Sequence, residues 1–555
     1  MMTDPQPTQW WRDAVIYQIY PRSFADRNGD GMGDINGMRD KLGYLSNLGV
    51  DAIWLSPFYR SPQKDAGYDV SDYRQVDERF GTLEDFEGLI REAHQGGIKV
   101  IVDLVPNHTS DQHEWFQAAL AAAPGSPERE RYMFRDGKGP DGSEPPNNWK
   151  SVFGGRAWTR VTEPDGTPGQ WYLHIFDTSQ PDLNWENPEV RTEMESVLRF
   201  WLDRGVDGFR VDVAHGMIKK AGLPDWEERT EMVADADTAE PTNATPYWDQ
   251  DGVHEIYRSW NQVLAEYDGD RMLVAEAWVS PIERLFLYVR PDEMQQAFNF
   301  EFLLSGWDAE KVTNNIAESL RASGEVGAPP TWVLSNHDVV RAATRLGFGP
   351  KDDDGSNNIA KAPDEALGQL RARAYLLLML GLPGSAYLYQ GDELGLPDYY
   401  NVPDAMRQDP SFARTGGEMR GRDGCRIPMP WDSTKPGYGF SDVADPAPGW
   451  LPQPESYAVY AADQQVGIPG STFEVIKAAL ALRHERELGQ GELEFSAEHE
   501  PAAGIVSYTN NGVTVVTNMG NDQVALPDYE QILLASIPEA VTDGMLEPNA
   551  TVWLA

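Results

Sequence analysis

The chain has 555 residues, of which 88 are acidic and 46 basic, and its formal net charge is −42. So acidic a surface repels nucleic acid and anionic membranes, which excludes both as expected partners. The length exceeds what one hydrophobic core usually serves, so two or three domains are expected.

Short β-branched or aromatic runs alternate with amphipathic stretches along most of the chain. Alternation of this kind predicts an α/β protein with a parallel sheet and crossover helices. The predicted helices include 38–48, 83–96, 190–204, 253–267 and 472–487. The predicted strands are 15–20, 52–55, 99–103, 208–211, 272–275, 296–300, 332–335 and 385–389. Eight strands is the number that closes a parallel (β/α)₈ TIM barrel.

Two regions depart from this rhythm and divide the chain. Residues 108–177 are rich in Gly, Pro, Asn and Trp, and they are too long for an ordinary connection, which predicts a subdomain inserted after the third strand. Beyond the last helix, alternating segments are split by Asn-Asn-Gly, a hairpin signal, so 488–555 is expected to form a C-terminal antiparallel β domain. The barrel then comprises 1–107 and 178–487.

The expected location is the cytoplasm. The N-terminal segment has no basic region followed by an apolar stretch, and no apolar run approaches the roughly 18 residues of a membrane span. Cys425 is the single cysteine, which excludes an intrachain disulfide and is typical of a reducing compartment. The sequence holds no signal for the oligomeric state.

Polar side chains follow four of the predicted strands, at the end where a parallel barrel carries its active site. One acid at a strand end is usually a solvated cap, but several beside apolar strand ends are costly unless they are used or paired. Arg210 points to the same side of its strand as Asp212 and can hold that carboxylate as an anion. The candidates are Asp103, Asn107, His108, Arg210, Asp212, Glu276, His337 and Asp338.

Several short motifs occur in a fixed order around these residues. They are IYQIYPRSF at 16–24, GYDVSDY at 67–73, DLVPNH at 103–108, QPDLNW at 180–185, GFRVDVAH at 208–215, EAW at 276–278 and SNHD at 335–338. Together they resemble the α-amylase family of retaining glycoside hydrolases. The resemblance implies that Asp212 is the nucleophile, Glu276 the general acid/base and Asp338 the transition-state stabiliser. It also implies that His108 and His337 grip hydroxyls of the same sugar.

Residues outside the catalytic motifs indicate the subclass. QPDLNW and RDGCRIPMPWD at 422–432 resemble exo-acting α-glucosidases and oligo-1,6-glucosidases more than endo-amylases. That resemblance implies that Arg422 and Asp69 close the pocket and bind the non-reducing terminal glucose; the alternative for Arg422 is a surface ion pair. Val213 is associated in relatives with α-1,6 linkages, but Ala214 and His215 differ from many oligo-1,6-glucosidases.

The function expected from these features is an exo-acting α-glucosidase that takes small α-linked gluco-oligosaccharides or disaccharides, with maltose-type substrates favoured. One alternative is an oligo-1,6-glucosidase, or a glucosyl-transferring enzyme of the sucrose isomerase or trehalose synthase type. A second alternative, a non-catalytic transporter subunit or binding protein, predicts a missing acid or a membrane anchor. All three acids are present.

The loop after the first strand carries oxygen donors at alternate positions before glycines, a pattern that suits a hard cation. It is not an EF-hand, since Gly37 stands where a bidentate Glu is required. It resembles the calcium loop of oligo-glucosidases, so a structural, non-catalytic Ca²⁺ is expected. The alternative is a polar Asx-type turn without an ion. The expected ligands are Asp26, Asn28, Asp30, Met32 and Asp34.

Overall fold

The structure, a computed structural model, describes residues 9–227, 241–348 and 362–555. Eight parallel strands form one sheet: β1 Val15–Ile19, β2 Ala52–Leu55, β3 Lys99–Leu104, β4 Gly208–Val211, β5 Met272–Ala275, β6 Gln296–Ala297, β7 Thr331–Val333 and β8 Ser385–Tyr389. Every strand pairs with the next one in the chain except β6 with β7, and β1 also pairs with β8. An isolated parallel bridge between Asn299, which follows β6, and Trp332 in β7 links the two remaining edges, so that the barrel is nearly closed. The predicted α/β barrel is confirmed.

Amphipathic helices cover the barrel. The helix Leu83–Gln95 buries Phe86, Leu89, Ile90 and Ala93, which share one face at helical spacing. Thr82 and Asp85 begin this helix with a reciprocal capping box. Outside the insertion, which contains the helix Glu114–Ala121, the main helices are α1 Ile35–Asp40, α2 Leu42–Leu48, α3 Leu83–Gln95, α4 Pro188–Leu202, α5 Val253–Leu264, α6 Ala309–Val326, α7 Glu365–Leu380 and α8 Thr472–Glu485.

Two predicted elements differ from the structure. The predicted strand 296–300 is only two residues long, because the Asn299 side chain accepts a hydrogen bond from Phe302 N and starts the short helix Phe300–Leu304. The predicted helix 38–48 begins earlier and is broken at Lys41, which separates α1 from α2. The first difference follows from the Asn299 cap and the second from the non-helical backbone of Lys41 (φ −101°, ψ 1°), and hydrophobic periodicity reports neither.

A three-stranded antiparallel sheet interrupts the barrel between β3 and β4, as predicted for an inserted subdomain. Its strands are Phe134–Arg135, Trp158–Thr162 and Pro168–Leu173. A separate cluster of buried aromatic residues from this insertion packs against Val213, directly after β4. The insertion therefore reaches the end of the barrel where the candidate residues lie.

The C-terminal segment forms the predicted antiparallel β domain. Its main sheet has the order β9-β10-β11-β13-β12, where the strands are β9 Leu493–Phe495, β10 Ile505–Asn510, β11 Val513–Asn518, β12 Ile532–Ala535 and β13 Ala550–Leu554. Asn511 and Gly512 turn the β10–β11 hairpin with positive φ angles of 45° and 75°, as the Asn-Asn-Gly signal predicts. Trp553 and Tyr508 donate hydrogen bonds to carbonyls of α7, which fixes this sheet to the barrel.

Within the described ranges, no helix is both long and apolar enough to cross a lipid bilayer.

Candidate active site

Three carboxylates from separate strand ends line one cavity. Asp212 follows β4 directly, Glu276 follows β5 directly, and Asp338 lies five residues beyond the end of β7. The empty space of the cavity, including solvent at its mouth, is about 470 Å³. Its lining comprises Asp65, Tyr68, His108, Phe153, Phe176, Asp212, Val213, His215, Trp248, Glu276, Trp278, Asp338 and Arg422. The convergence predicted from the strand ends is present.

Arg210 is buried beside this cavity and faces the side chains of Asp212, Asp103 and Glu276. Its Nη1 donates hydrogen bonds to Oδ1 of Asp212 at 2.6 Å and to Oδ1 of Asp103 at 2.8 Å. Its Nη2 lies 3.6 Å from Oε2 of Glu276. One buried guanidinium thus faces three acids, and its closest contact is with Asp212.

The electrostatics of the site differ between Asp212 and Glu276. Burial raises the pKa of both carboxyls, while Arg210 opposes this rise in each. Because Arg210 bonds Asp212 directly and lies farther from Glu276, it favours ionised Asp212 more than ionised Glu276. Direct contact with the guanidinium is therefore the feature that makes Asp212 better suited than Glu276 to carry the negative charge.

Both carboxyl oxygens of Glu276 accept hydrogen bonds. The backbone N–H of Val213 donates to Oε2 at 2.7 Å, and the indole Nε1 of Trp278 donates to Oε1 at 2.8 Å. Val213 has φ of 45°, in the left-handed region that β-branched residues rarely adopt. That conformation, held one residue after Asp212, aims the N–H at Glu276 and so links the two carboxyls.

Asp338 is held ionised by cationic neighbours. Its Oδ1 accepts hydrogen bonds from Arg422 at 3.0 Å and Arg426 at 2.8 Å, and its Oδ2 lies 3.2 Å from Nε2 of His337. Burial works against ionisation, but the close contact with His337 and the charges of the two guanidinium groups outweigh it and hold the pKa of Asp338 below its usual range. Asp338 is therefore a permanent anion at the cavity wall.

The charged wall beside Asp338 is built by Arg422 and corrects one expectation. Arg422 donates hydrogen bonds to Asp409, Asp338 and Asp65, at 2.5, 3.0 and 3.1 Å. The expected partner, Asp69, is fully buried and does not line the cavity. It accepts hydrogen bonds from Ser61 Oγ and from the backbone of its own loop. Asp65, four residues earlier, takes the place expected for Asp69.

The two candidate histidines lie at different depths. His108 lines the cavity, and its Nε2 is 3.1 Å from the carbonyl oxygen of Tyr68. His337 is buried behind the wall, stacked on the Tyr68 ring, with Nε2 2.6 Å from the Tyr68 hydroxyl. Burial lowers the pKa of both rings. The expected contact of His337 with sugar stays a prediction, and its observed contacts are with Tyr68 and Asp338.

Asn107 braces a buried ammonium group. Nζ of Lys219 donates to Oδ1 of Asn107 at 2.9 Å, pairs with Asp182 at 2.8 Å and also contacts the carbonyl of Gly216. The Lys219 side chain is 2% exposed. Three oxygens thus surround a cation that the chain itself supplies, beneath the turn that carries Val213. Lys219 gave no signal in the sequence, because one lysine in a turn usually reaches solvent.

In the loop after β1, the acidic side chains accept backbone N–H groups. Asp26 bonds Gly29 and Gly31, and Asp34 bonds Arg27, Asn28 and Gly37. In the described part of the chain, no three His, Cys, Asp or Glu side chains are gathered as a metal site. Each carboxylate oxygen of Asp26 and Asp30 accepts a single hydrogen bond and keeps a second lone pair, so the donor chemistry still fits a hard cation.

With this geometry established, comparison with known proteins identifies the family. The sequence model described as "Alpha amylase, catalytic domain" matches residues 18–491. The chain belongs to the α-amylase family. It is a glycoside hydrolase, as the order of its motifs implies.

The similar proteins span nearly the whole chain. A probable alpha-glucosidase of Rhizobium meliloti is 39% identical over 530 residues, covering 92% of this chain and 90% of that protein. An oligo-1,6-glucosidase of Parageobacillus thermoglucosidasius is 36% identical, with 98% of both chains covered. The crystal structure of the alpha-glucosyl transfer enzyme XgtA superposes with a TM-score of 0.84 at 36% identity and covers 99% of both chains.

Proposed function

We propose that the protein is an exo-acting α-glucosidase that releases α-glucose from the non-reducing end of small α-glucosides. The observation that carries this proposal is the cavity itself, in which Asp212, Glu276 and Asp338 meet beside the wall formed by Arg422 and Asp65. The ion pair between Arg422 and Asp65 closes this end of the cavity, so a polysaccharide chain cannot pass through it. The polar groups of the pair are satisfied by the free hydroxyls of a terminal sugar, which disfavours an internal one.

In the first step, the Asp212 carboxylate bonds to C1 of the terminal glucose while the Glu276 carboxyl gives its proton to the glycosidic oxygen. The C1–O bond breaks, the leaving sugar departs with the proton, and a glucosyl ester of Asp212 remains. Asp338 and His108 hold hydroxyls of the glucose, and the permanent charge of Asp338 strengthens this hold as the ring becomes cationic.

In the second step, the Glu276 carboxylate takes a proton from water, whose oxygen bonds to C1 as the ester breaks. Two inversions at C1 return the α-configuration. A sugar hydroxyl in place of water gives transglucosylation by the same proton transfer. The similarity to an alpha-glucosyl transfer enzyme supports this second outcome.

Maltose-type substrates are the favoured class, and isomaltose is the competing one because Val213 lines the cavity beside Glu276. The test is release of glucose from maltose and isomaltose, compared as kcat/KM. A larger value for maltose supports the proposal. A larger value for isomaltose assigns an oligo-1,6-glucosidase. If neither sugar yields glucose, and sucrose is isomerised instead, the α-glucosidase proposal is wrong.

We further propose a structural Ca²⁺ in the loop after β1, held by oxygens of Asp26, Asn28, Asp30, Met32 and Asp34. Burial raises the pKa of Asp26 and of Asp34, and the charge of Asp30 adds to the rise. A bound cation would offset this clustering of negative charge. The loop also pairs with Ser441, so the ion would stabilise two segments at once.

Removal of calcium by a chelator is expected to lower the melting temperature by several degrees, and added Ca²⁺ is expected to restore it, since an ion that binds only the folded state stabilises that state. Calorimetry measures this shift. The Asp30→Asn variant is the matched control and should melt at the same temperature with and without chelator. Identical melting of the chelated and calcium-loaded wild type would contradict the proposal.

The partners proposed are small α-linked sugars alone. A cytoplasmic location remains a prediction that rests on the lone, buried cysteine.

A further inference from the structure

Trp278 lies two residues after Glu276, and its indole ring is held in place by both a stacking contact and a hydrogen bond. Its ring is 3% exposed and stacks on Phe300, with centroids 3.8 Å apart and planes within 8°. This stack sets the ring so that Nε1 lies 2.8 Å from Oε1 of Glu276. The indole N–H can act only as a donor.

The other oxygen of Glu276 accepts a hydrogen bond from a main-chain group, the backbone N–H of Val213. Of the two donors that fix this carboxyl, only Trp278 belongs to a side chain. The carboxyl must keep one orientation while it is neutral in the first step and anionic in the second. Two donors, one on each oxygen, satisfy that need in both states.

We propose that Trp278 is a positioning residue that aims the Glu276 carboxyl at the glycosidic oxygen and stabilises the carboxylate left after proton transfer. This inference rests on the proposed function, in which Glu276 is the acid/base. Glu276 gives its proton to the leaving oxygen and later takes one from water, and the indole keeps its own proton throughout.

The charged groups that face Glu276 are Arg210, Asp212, Asp103 and Asp338, from β4, β3 and the loop after β7. None of them changes when an indole is replaced by a benzene ring. A hydrogen bond to a carboxylate is stronger than one to the neutral acid. Loss of the indole N–H therefore favours the protonated form of Glu276. It also removes one of the two hydrogen bonds that fix the orientation of the carboxyl group.

The test is Trp278→Phe, which keeps a ring on Phe300 and removes the donor. The leaving sugar of a disaccharide is a poor leaving group and must receive a proton from Glu276. For such a substrate, kcat/KM should therefore fall about 10- to 100-fold. In an aryl glucoside such as p-nitrophenyl α-glucoside, the p-nitrophenolate departs from C1 without needing a proton, so kcat/KM for this substrate should change less than about threefold. The basic limb of the disaccharide pH profile should move up by about one unit.

Phe300→Leu tests the stack itself, since it removes the stacking partner and keeps the indole N–H. Because the stack sets the ring beside Glu276, this variant should show the same selective loss on the disaccharide, and a shift of the basic limb in the same direction, both smaller than in Trp278→Phe. Equal losses for both substrates in Trp278→Phe, with an unmoved limb, would overturn the proposal. If that variant does not fold, site-specific benzothienylalanine replaces the N–H by sulfur within the same ring shape and gives the same test.

Glu276→Gln distinguishes failure of the proposed acid/base role of Glu276 from failure of the proposed positioning role of Trp278. If Glu276→Gln retains activity on the disaccharide, the proposed role of Glu276 fails, and that of Trp278 fails with it. If Glu276→Gln loses that activity while Trp278→Phe lowers both substrates equally, only the Trp278 proposal fails.

Discussion

Asp212→Asn is expected to lower kcat for the preferred α-glucoside by about 10⁴-fold or more, the loss typical of removing a catalytic nucleophile. The amide has the size of the carboxylate but cannot form the ester to C1. The loss should extend to aryl glucosides, because a good leaving group replaces the acid and not the nucleophile. Steady-state kinetics on both substrates measure it.

Asp207→Asn is the matched control for this variant. Asp207 directly precedes β4 at the opposite end of the barrel, is 1% exposed, and bonds His94, Lys99 and Arg271. Its replacement also removes a buried, paired carboxylate, so it should lower the melting temperature and leave kcat within a few-fold. Comparable losses of kcat in the two variants would mean that Asp212 is only a structural ion-pair partner.

Arg422→Met is expected to have the second-largest effect, a loss of about 10²- to 10³-fold in kcat/KM, because a methyl thioether cannot hold sugar hydroxyls or the carboxylates around it. Asp65, Asp338 and Asp409 would lose a shared guanidinium. Breaking buried pairs of this kind costs about 3–5 kcal/mol of stability, so the melting temperature should also fall.

The pH dependence of Arg422→Met has a definite sign. Arg422 helps to hold the pKa of Asp338 and of Asp409 below the usual range. Without it both values rise, so the acid limb of kcat/KM moves to higher pH, and the stability that these anions contribute above their unfolded pKa is lost. Arg414→Met, which removes a pair with Asp177 on the same loop, should leave the acid limb unchanged. An unmoved limb in Arg422→Met would contradict the account.

The barrel could be predicted from the sequence because each of its strands is a short apolar run between amphipathic helices. The residues at which individual helices and strands begin and end could not be predicted in the same way. Asn299 shortens β6 by capping the next helix, and Lys41 splits a continuous apolar pattern into two helices. Both are single side-chain or backbone events that leave the hydrophobic period intact.

The catalytic acids could also be predicted, because strand order places them at one end of the barrel. The residues that form the charged wall of the cavity were harder to predict. Asp65 and Asp69 flank the same tyrosine, and Ala66 and Gly67 between them have φ of 49° and 106°. These two left-handed residues turn the loop so that Asp65 faces Arg422 while Asp69 bonds its own backbone. Composition and spacing do not specify that turn.

In the sequence, Trp278 stands out only as the last residue of the EAW motif at 276–278. Its role as a donor depends on the stack with Phe300, 22 residues later in the chain and on a different strand end. Aromatic residues beside a motif are more often packing than function. Only the tertiary contact distinguishes the two.

The central claim is a covalent intermediate on Asp212. The most direct measurement is mass spectrometry of peptides after the enzyme is incubated with a 5-fluoro-α-glucosyl fluoride, which forms the glycosyl ester and hydrolyses slowly. The account predicts a fluoroglucosyl adduct on the peptide that contains Asp212, absent in Asp212→Asn. An adduct on another residue, or full turnover with inverted product and no adduct, would contradict it.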